Sequence, residues 1–202
     1  MGLQKASTIK THGVCDIVFC IDCSFSMIPI IESIKENISL LMNGLQNDDM
    51  SIDWRARVVG FRNNIVYDKP FVATLDEIKN QLDSLKAQGV VENERSPVIE
   101  TIEYAVIKSS WRERFRRVIM LFTDTVPQIS KHGNWDSLSD EMRSHHIRLY
   151  LWGKKDPAYN PVYDLLARIP QANLELFEEP IDFYYHKHIN FKYFMYLFLP
   201  IT

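Results

Sequence analysis

Three features of the sequence predict an α/β fold, with a doubly wound, mainly parallel sheet and helices on both faces. Apolar, β-branched runs alternate along the chain with segments whose apolar residues recur every three or four positions. Two of the runs, at 14–22 and 117–124, are mostly apolar, as strands buried on both faces of a parallel sheet are. Both end on an aspartate, Asp22 and Asp124, so the two carboxylates are expected at one edge of the sheet.

The elements follow from hydrophobic spacing and turn residues. Residues 1–13 are polar and are expected to form a loosely held lead-in, and residues 14–202 to form a single domain. Arg62-Asn63-Asn64 is a turn that pairs one short antiparallel edge strand back on the second strand. The predicted strands are 14–22, 51–61, 65–67, 117–124, 147–152 and 174–177. The predicted helices are 28–45, 75–86, 97–109, 135–146, 159–168 and an aromatic one at 183–199.

Two of these helices begin with recognisable capping residues. Thr74 precedes the helix at 75–86, and Ser96 precedes Pro97, which fits the first helical position. Both hydroxyl groups are therefore predicted to cap a first turn.

Composition and charge narrow the class of protein. The 202 residues are 46% hydrophobic and 24% charged, which is typical of a globular domain, and the net charge is −3. That charge does not favour nucleic acid or an anionic membrane surface as a partner. No run reaches the roughly 18 apolar residues of a membrane span. Residues 1–8 lack a hydrophobic signal region, so a cytoplasmic location is expected.

The three cysteines, Cys15, Cys20 and Cys23, lie in or next to the first strand. Along an extended strand, the first and last are too far apart to bridge, and a bond between the other two would distort the turn. Buried free thiols are the preferred interpretation.

Oxygen-bearing side chains follow the first strand. Asp22, Ser24 and Ser26 stand at alternate positions directly before a helix, where they can point into one crevice. A carboxylate with two hydroxyls is a set of hard oxygen ligands, which suits Mg²⁺ or Mn²⁺ and not Zn²⁺. The same residues would also serve as an ordinary helix cap and turn.

This pattern resembles the D-x-S-x-S motif of von Willebrand factor A-type (vWA) domains, which opens their metal ion-dependent adhesion site. The resemblance extends over roughly residues 14–152, because two further loops follow in the family's order. Ser96 supplies a hydroxyl ahead of a helix, and Asp124 stands in Thr123-Asp124 at a strand end. Small stand-alone cytoplasmic vWA proteins look similar in size. The resemblance implies a metal site formed by Asp22, Ser24, Ser26, Ser96 and Asp124.

For function, the resemblance implies Mg²⁺ or Mn²⁺ as cofactor, and a partner protein that offers an Asp or Glu to the metal within an intracellular complex. It implies a binding module and not an enzyme, since no catalytic base or nucleophile is evident. Phe25, Thr125 and Glu94-Arg95 stand where the family usually has glycines, which costs backbone freedom close to the metal. The alternative is therefore a vWA scaffold that binds partners without metal.

Enzyme classes fit the sequence less well. A phosphatase-like hydrolase using Asp22 would need a second aspartate where this chain has Ser24. Dinucleotide binding would need a glycine-rich turn after the first strand, and none of the seven glycines forms one.

The remaining charged and aromatic groups have ordinary interpretations. A group of arginines would suit a phosphate, although a solvated approach to the strand at 117–124 is favoured; these are Arg112, Arg114, Arg116 and Arg117. The histidine pairs are interpreted as surface or capping residues; they are His145 with His146, and His186 with His188.

Overall fold

The computed structural model describes residues 13–47, 52–88, 95–113, 115–127, 135–155 and 160–177. Eight strands and five helices lie within these ranges. The strands are β1 (Gly13–Asp22), β2 (Ile52–Phe61), β3 (Ile65–Asp68), β4 (Arg95–Ser96), β5 (Arg116–Phe122), β6 (Val126–Pro127), β7 (Ile147–Lys154) and β8 (Ala172–Phe177). The helices are α1 (Ile28–Asn47), α2 (Leu75–Asp83), α3 (Val98–Lys108), α4 (Trp135–Ser144) and α5 (Asn160–Ala167).

Six of the strands form one sheet in the order β3-β2-β1-β5-β7-β8. Every neighbouring pair is parallel except β2 with β3, which is antiparallel at the edge. The predicted fold class is therefore confirmed. β1 lies between β2 and β5, so the strand that carries Asp22 is in the middle of the sheet.

Alternation of side chains along β1 explains why helices cover both faces. Ile17 and Phe19 belong to one core layer together with the inner residues of α1 and α2. Val18 and Cys20 belong to the opposite layer with the inner residues of α3, α4 and α5. Because successive strand residues point to opposite faces, an apolar run on β1 needs an apolar cover on each side.

Several helix starts and ends differ from the predictions by one to three residues. Thr74 caps α2 as predicted, with its hydroxyl accepting the Glu77 N–H at 3.3 Å. The prediction that Ser96 caps a helix beginning at Pro97 is wrong, because Pro97 is itself the N-cap and α3 begins at Val98. The Pro97 carbonyl accepts the Thr101 N–H at 2.9 Å and so makes the first intrahelical bond. α2 ends at Asp83, three residues before the predicted end.

A second, two-stranded sheet formed by β4 and β6 was not expected from the sequence. Each strand has two residues, which is too short to show an alternating pattern. The strand predicted at 117–124 ends at Phe122, so Thr123 and Asp124 begin a loop.

Other predictions fall partly or wholly outside the described residues. The helix predicted at 183–199 and nearly all of the lead-in at 1–13 lie there. Within the described ranges, all three cysteines are buried and free, which confirms that prediction. The helices in those ranges are too short or too polar to cross a membrane.

Candidate metal centre at the carboxyl ends of the strands

Asp22 is the last residue of β1, and its side chain is fully buried. Its Oδ1 accepts the backbone N–H of Ser24 at 2.9 Å, a local bond that turns the chain sharply after the strand. A single 3-10 turn then runs from Phe25 to Met27 and leads directly into α1. The first loop therefore folds around the Asp22 carboxylate.

Hydroxyl groups connect this loop to the end of β5. The Oγ atoms of Ser24 and Ser26 are 3.0 Å apart. The Ser26 hydroxyl donates to Oδ1 of Asp124 at 2.9 Å. Ser24 and Asp124 are both buried. Four of the five predicted ligand residues, Asp22, Ser24, Ser26 and Asp124, are thus held in one hydrogen-bonded cluster.

Two threonines complete this cluster, and sequence reasoning gave them no role. Oδ2 of Asp22 accepts the Thr123 hydroxyl at 2.6 Å and the Thr125 hydroxyl at 2.8 Å. The Thr125 N–H also donates to the Thr123 hydroxyl at 3.1 Å, which fixes the loop after β5. In the sequence, Thr123 is part of the Thr-Asp motif, and Thr125 stands where the family usually has a glycine. Their position in the sequence could have indicated this role, because both are hydroxyl-bearing residues next to the predicted ligand Asp124.

The fifth predicted ligand is Ser96, whose side chain lies outside the described part of the structure. Its backbone is placed by the β4–β6 pairing, in which Arg95 stands opposite Val126 and Ser96 opposite Pro127. Val126 is two residues after Asp124. The backbone of the second loop therefore runs beside the third loop, while the contacts of the Ser96 side chain remain a prediction.

The electrostatics of the cluster favour a cation. Burial, together with the negative charge of Asp22, raises the pKa of Asp124 above its usual range, although the Ser26 hydrogen bond and Lys154 act in the opposite direction. Two carboxylates are thus held near one another in a buried site. A divalent cation there would offset both the burial and the repulsion.

The types of donor atom decide which cation fits. Among the described residues, no group of three or more His, Cys, Asp or Glu side chains is placed to hold a metal. The neighbouring hydroxyl oxygens, together with water, would complete the coordination of an ion bound by Asp22 and Asp124. Carboxylate and hydroxyl oxygens are hard ligands, so the set fits Mg²⁺ or Mn²⁺.

The glycine replacements leave the local backbone in ordinary conformations. In the described ranges, the non-glycine residues with positive φ are His146 and Gln171, so neither Phe25 nor Thr125 is forced into the left-handed region. Phe25 is 63% exposed. The expected loss of backbone freedom therefore produces no strain at these two positions.

The family model for the von Willebrand factor type A domain matches residues 16–180. The chain belongs to the von Willebrand factor type A family. This stretch includes the main sheet almost entirely, and both aspartates of the candidate centre. vWA domains are protein-interaction modules, and most of them are not enzymes.

Solved vWA structures share the fold at low sequence identity. Proximal thread matrix protein 1 from the mussel byssus, solved with a zinc-occupied adhesion-site motif, matches with a TM-score of 0.59 and 17% identity over 72% of this chain and 37% of its own. The von Willebrand factor type A protein from Catenulispora acidiphila matches with a TM-score of 0.60 and 15% identity, over 87% of this chain and 41% of its own. The protein BatB from Bacteroides thetaiotaomicron matches with a TM-score of 0.52 and 19% identity, over 71% of this chain and 68% of its own.

These similarities bear on the fold alone. This vWA chain spans less than half the length of the mussel and Catenulispora chains. No curated protein matches the sequence.

Proposed function

We propose that this vWA domain is a divalent-metal-dependent protein-binding module. In this proposal Asp22, Ser24, Ser26, Ser96 and Asp124 hold Mg²⁺ or Mn²⁺. An Asp or Glu of a partner protein fills a coordination position that the chain leaves open. The observation that carries the proposal is the hydrogen bond from Ser26 to Asp124, because it joins two of the three motif loops at the buried carboxylates.

The proposed role follows from the chemistry of the site. A bound cation supplies a Lewis-acidic anchor for a carboxylate, and the loops' hydroxyl groups orient the two aspartates around it. The domain binds its partner without transforming it, and we place it in a cytoplasmic complex. The mussel relative, whose site holds zinc, supports the choice of a divalent metal but not of magnesium.

Calorimetry tests the metal part of this proposal. The full chain is titrated with Mg²⁺, Mn²⁺ and Zn²⁺, and Asp124→Asn is compared with Asp83→Asn, a change at an exposed carboxylate on α2. We expect the wild type and Asp83→Asn to bind one Mg²⁺ or Mn²⁺ with equal affinity, and Asp124→Asn to bind at least tenfold more weakly. Equal binding by all three proteins would contradict the assignment of the site.

A partner pull-down tests the adhesion part. The wild type is used as bait with Mg²⁺ and with EDTA, beside an Asp22→Ala bait. The proposal expects the same proteins to be lost with EDTA and with Asp22→Ala, while circular dichroism shows that the variant remains folded. Partners that survive both treatments would show that the metal does not mediate their binding.

A metal-independent scaffold is the second candidate. One observation favours it: the Thr123 and Thr125 hydroxyls already satisfy Oδ2 of Asp22 without any metal. In that case the titrations above give no binding heat, and the pull-down succeeds in EDTA.

A further inference from the structure

An apolar surface lies beside the candidate metal centre. In the turn that follows β1, the side chains of Phe25 and Ile28 are 63% and 46% exposed, and Pro29 is exposed as well. Residues 25–27 form a 3-10 turn, in which side chains three positions apart stand one above the other. Phe25 and Ile28 therefore lie on the same side of this turn. We call the surface formed by Phe25, Ile28 and Pro29 the apolar rim.

The core of the domain does not use the apolar rim. Met27, in the same turn, is fully buried in the layer under α1 and α2. Phe25 and Ile28 belong to neither of the two core layers in the described ranges. The other exposed large apolar residues in those ranges stand further along α1, on β3, on α3 and before β5; these are Leu40, Val66, Ile107 and Phe115. Packing thus explains the single side chains elsewhere no better than this pair, but only the pair forms a continuous surface within one turn.

Phe25 separates two of the predicted metal ligands in the chain. Ser24 and Ser26 stand directly before and after it, and their Oγ atoms are 3.0 Å apart. The Ser26 hydroxyl also donates to Asp124 at 2.9 Å. Ser26 is an exposed residue, whereas Ser24 and Asp124 are buried. Solvent therefore reaches the cluster where Ser26 lies, next to the apolar rim.

We propose that the apolar rim selects the partner of the metal site. The occupant is an extended protein segment in which a large apolar side chain stands two positions from the Asp or Glu that binds the metal. In an extended segment, side chains two positions apart point to the same side and are about 7 Å apart. One can then reach the metal while the other covers Phe25 and Ile28. This inference rests on the proposed function and adds the residue that the partner carries beside its acid.

A second copy of this chain fits the apolar rim less well than such a segment. A stable protein interface buries at least about 1,200 Å², and three side chains in one turn supply only a small part of that area. A segment already held by its carboxylate needs less. The metal would bind any accessible carboxylate, so the apolar contact is what distinguishes one acidic segment from another.

Defined peptides test the proposal. The first is Gly-Leu-Gly-Asp-Gly-Leu-Gly, the second has serine in place of both leucines, and the third has asparagine in place of the aspartate. Both ends are capped, so that the aspartate is the only carboxylate. Each labelled peptide is titrated with the full chain, with Mg²⁺ and with EDTA, and fluorescence anisotropy gives the affinity. With Mg²⁺ we expect the leucine peptide to bind about tenfold more tightly than the serine peptide, since partly covering a leucine has an effect of this size.

Single variants place this preference on the apolar rim. Phe25→Ala and Ile28→Ala should each reduce the preference for leucine over serine about threefold or more, and binding should still require Mg²⁺. Leu40→Ala removes a side chain that is 64% exposed elsewhere on α1, and it should keep the full preference. Circular dichroism verifies that the three variants are folded.

The outcomes separate this inference from the proposed function. If both aspartate peptides bind only with Mg²⁺ but equally well, the metal captures carboxylates and the inference alone is wrong. It is also wrong if Phe25→Ala keeps the full preference, or if the asparagine peptide binds as tightly as the leucine peptide with aspartate. If neither aspartate peptide binds, or if EDTA leaves their binding unchanged, the proposed function fails and this inference fails with it. A dimer in sedimentation that Phe25→Ala abolishes would assign the apolar rim to a second copy and overturn the proposal.

Discussion

The Ser26 hydroxyl donates to Oδ1 of Asp124 across 98 residues of sequence, at a distance of 2.9 Å. This bond joins the turn after β1 to the turn after β5 and holds the Asp124 carboxylate in the candidate centre. The hydrogen bond also opposes the rise in the pKa of Asp124. Ser26 therefore acts on both the geometry and the charge of the site.

Removing this hydroxyl should weaken metal binding. We expect Ser26→Ala to reduce Mg²⁺ affinity about tenfold, because both a ligand oxygen and the support of Asp124 are lost. Calorimetry measures the change, and Ser39→Ala is the control, since Ser39 bonds only to a backbone carbonyl in its own helix among the contacts described. Equal Mg²⁺ affinities of the two variants would show that Ser26 is not part of the metal site.

Thr125 gives a second, independent test of the same centre. The Thr125 hydroxyl donates to Oδ2 of Asp22 at 2.8 Å and so orients this carboxylate. We expect Thr125→Ala to weaken Mg²⁺ binding about tenfold, because the loss of a group that orients a metal ligand commonly has an effect of this size. Thr125→Ser keeps the hydroxyl and should retain most of the affinity. If alanine and serine have the same effect, the hydroxyl does not position Asp22.

The buried Asp16 should make stability sensitive to acid. Burial opposes its ionisation, but hydrogen bonds from Arg55 and Arg112 outweigh this, so the pKa of Asp16 is lower in the folded protein. A lowered folded pKa gives stability that is present above the unfolded pKa and lost as pH falls through the folded pKa. We expect Asp16→Asn to cost about 2–3 kcal/mol at pH 7, below the value for a fully buried pair because both arginines are partly exposed.

Urea unfolding at several pH values checks this expectation. The difference between wild type and Asp16→Asn should shrink between pH 5 and pH 2, as the wild-type carboxylate becomes protonated. Asp53→Asn is the control, since Asp53 pairs with the same Arg112 but is 57% exposed, and a small effect is expected. A constant difference across the acid range would show that charge on Asp16 does not stabilise the fold.

The buried thiols should make the folded protein less stable in alkali. Burial raises the pKa of Cys20 and of Cys23 to about 12, from an ordinary value of 9.0. A thiol whose folded pKa is raised stabilises the fold below its unfolded pKa, and this stability is lost as pH rises through the window up to the folded pKa. Stability should therefore fall between pH 9 and 12, by roughly 1.4 kcal/mol per pH unit for each thiol.

Cys20→Ala isolates one thiol from the other groups that titrate in alkali. Unfolding by urea at pH 8 and at pH 10 should show a shallower loss of stability in this variant than in the wild type. The folded wild type should also resist thiol-reactive disulfide reagents at pH 8, because its thiolates are scarce and shielded. Rapid modification of all three cysteines without unfolding would refute this.

A pair of phenylalanines tests the assignment of the core. Phe19 is fully buried in the layer under α1 and α2, whereas Phe25 is 63% exposed. Phe19→Ala should cost about 3–5 kcal/mol of unfolding free energy, and Phe25→Ala less than about 0.5 kcal/mol. Urea midpoints measure both changes, and comparable losses would mean that Phe25 is also packed.

Local patterns in the sequence predicted most of the fold. The mostly apolar character of β1 indicates burial on both faces, and the three-to-four-residue spacing in α1 indicates one buried face, because both signals depend only on neighbours along the chain. The same reasoning placed Asp22 and Asp124 at strand ends. Because β1 and β5 are adjacent parallel strands, Asp22 and Asp124 lie at the same edge of the sheet.

Only the tertiary structure decided the contacts between distant segments. Sequence spacing does not predict that the Thr123 and Thr125 hydroxyls donate to Asp22. It does not predict the ion pair between Arg112 and Asp16 either. Each of these contacts depends on how two distant segments of the chain approach one another. The placement of Arg148 opposite Val118 depends on the register of β5 against β7. Short-range periodicity therefore sets which elements form, whereas long-range packing sets which polar groups meet.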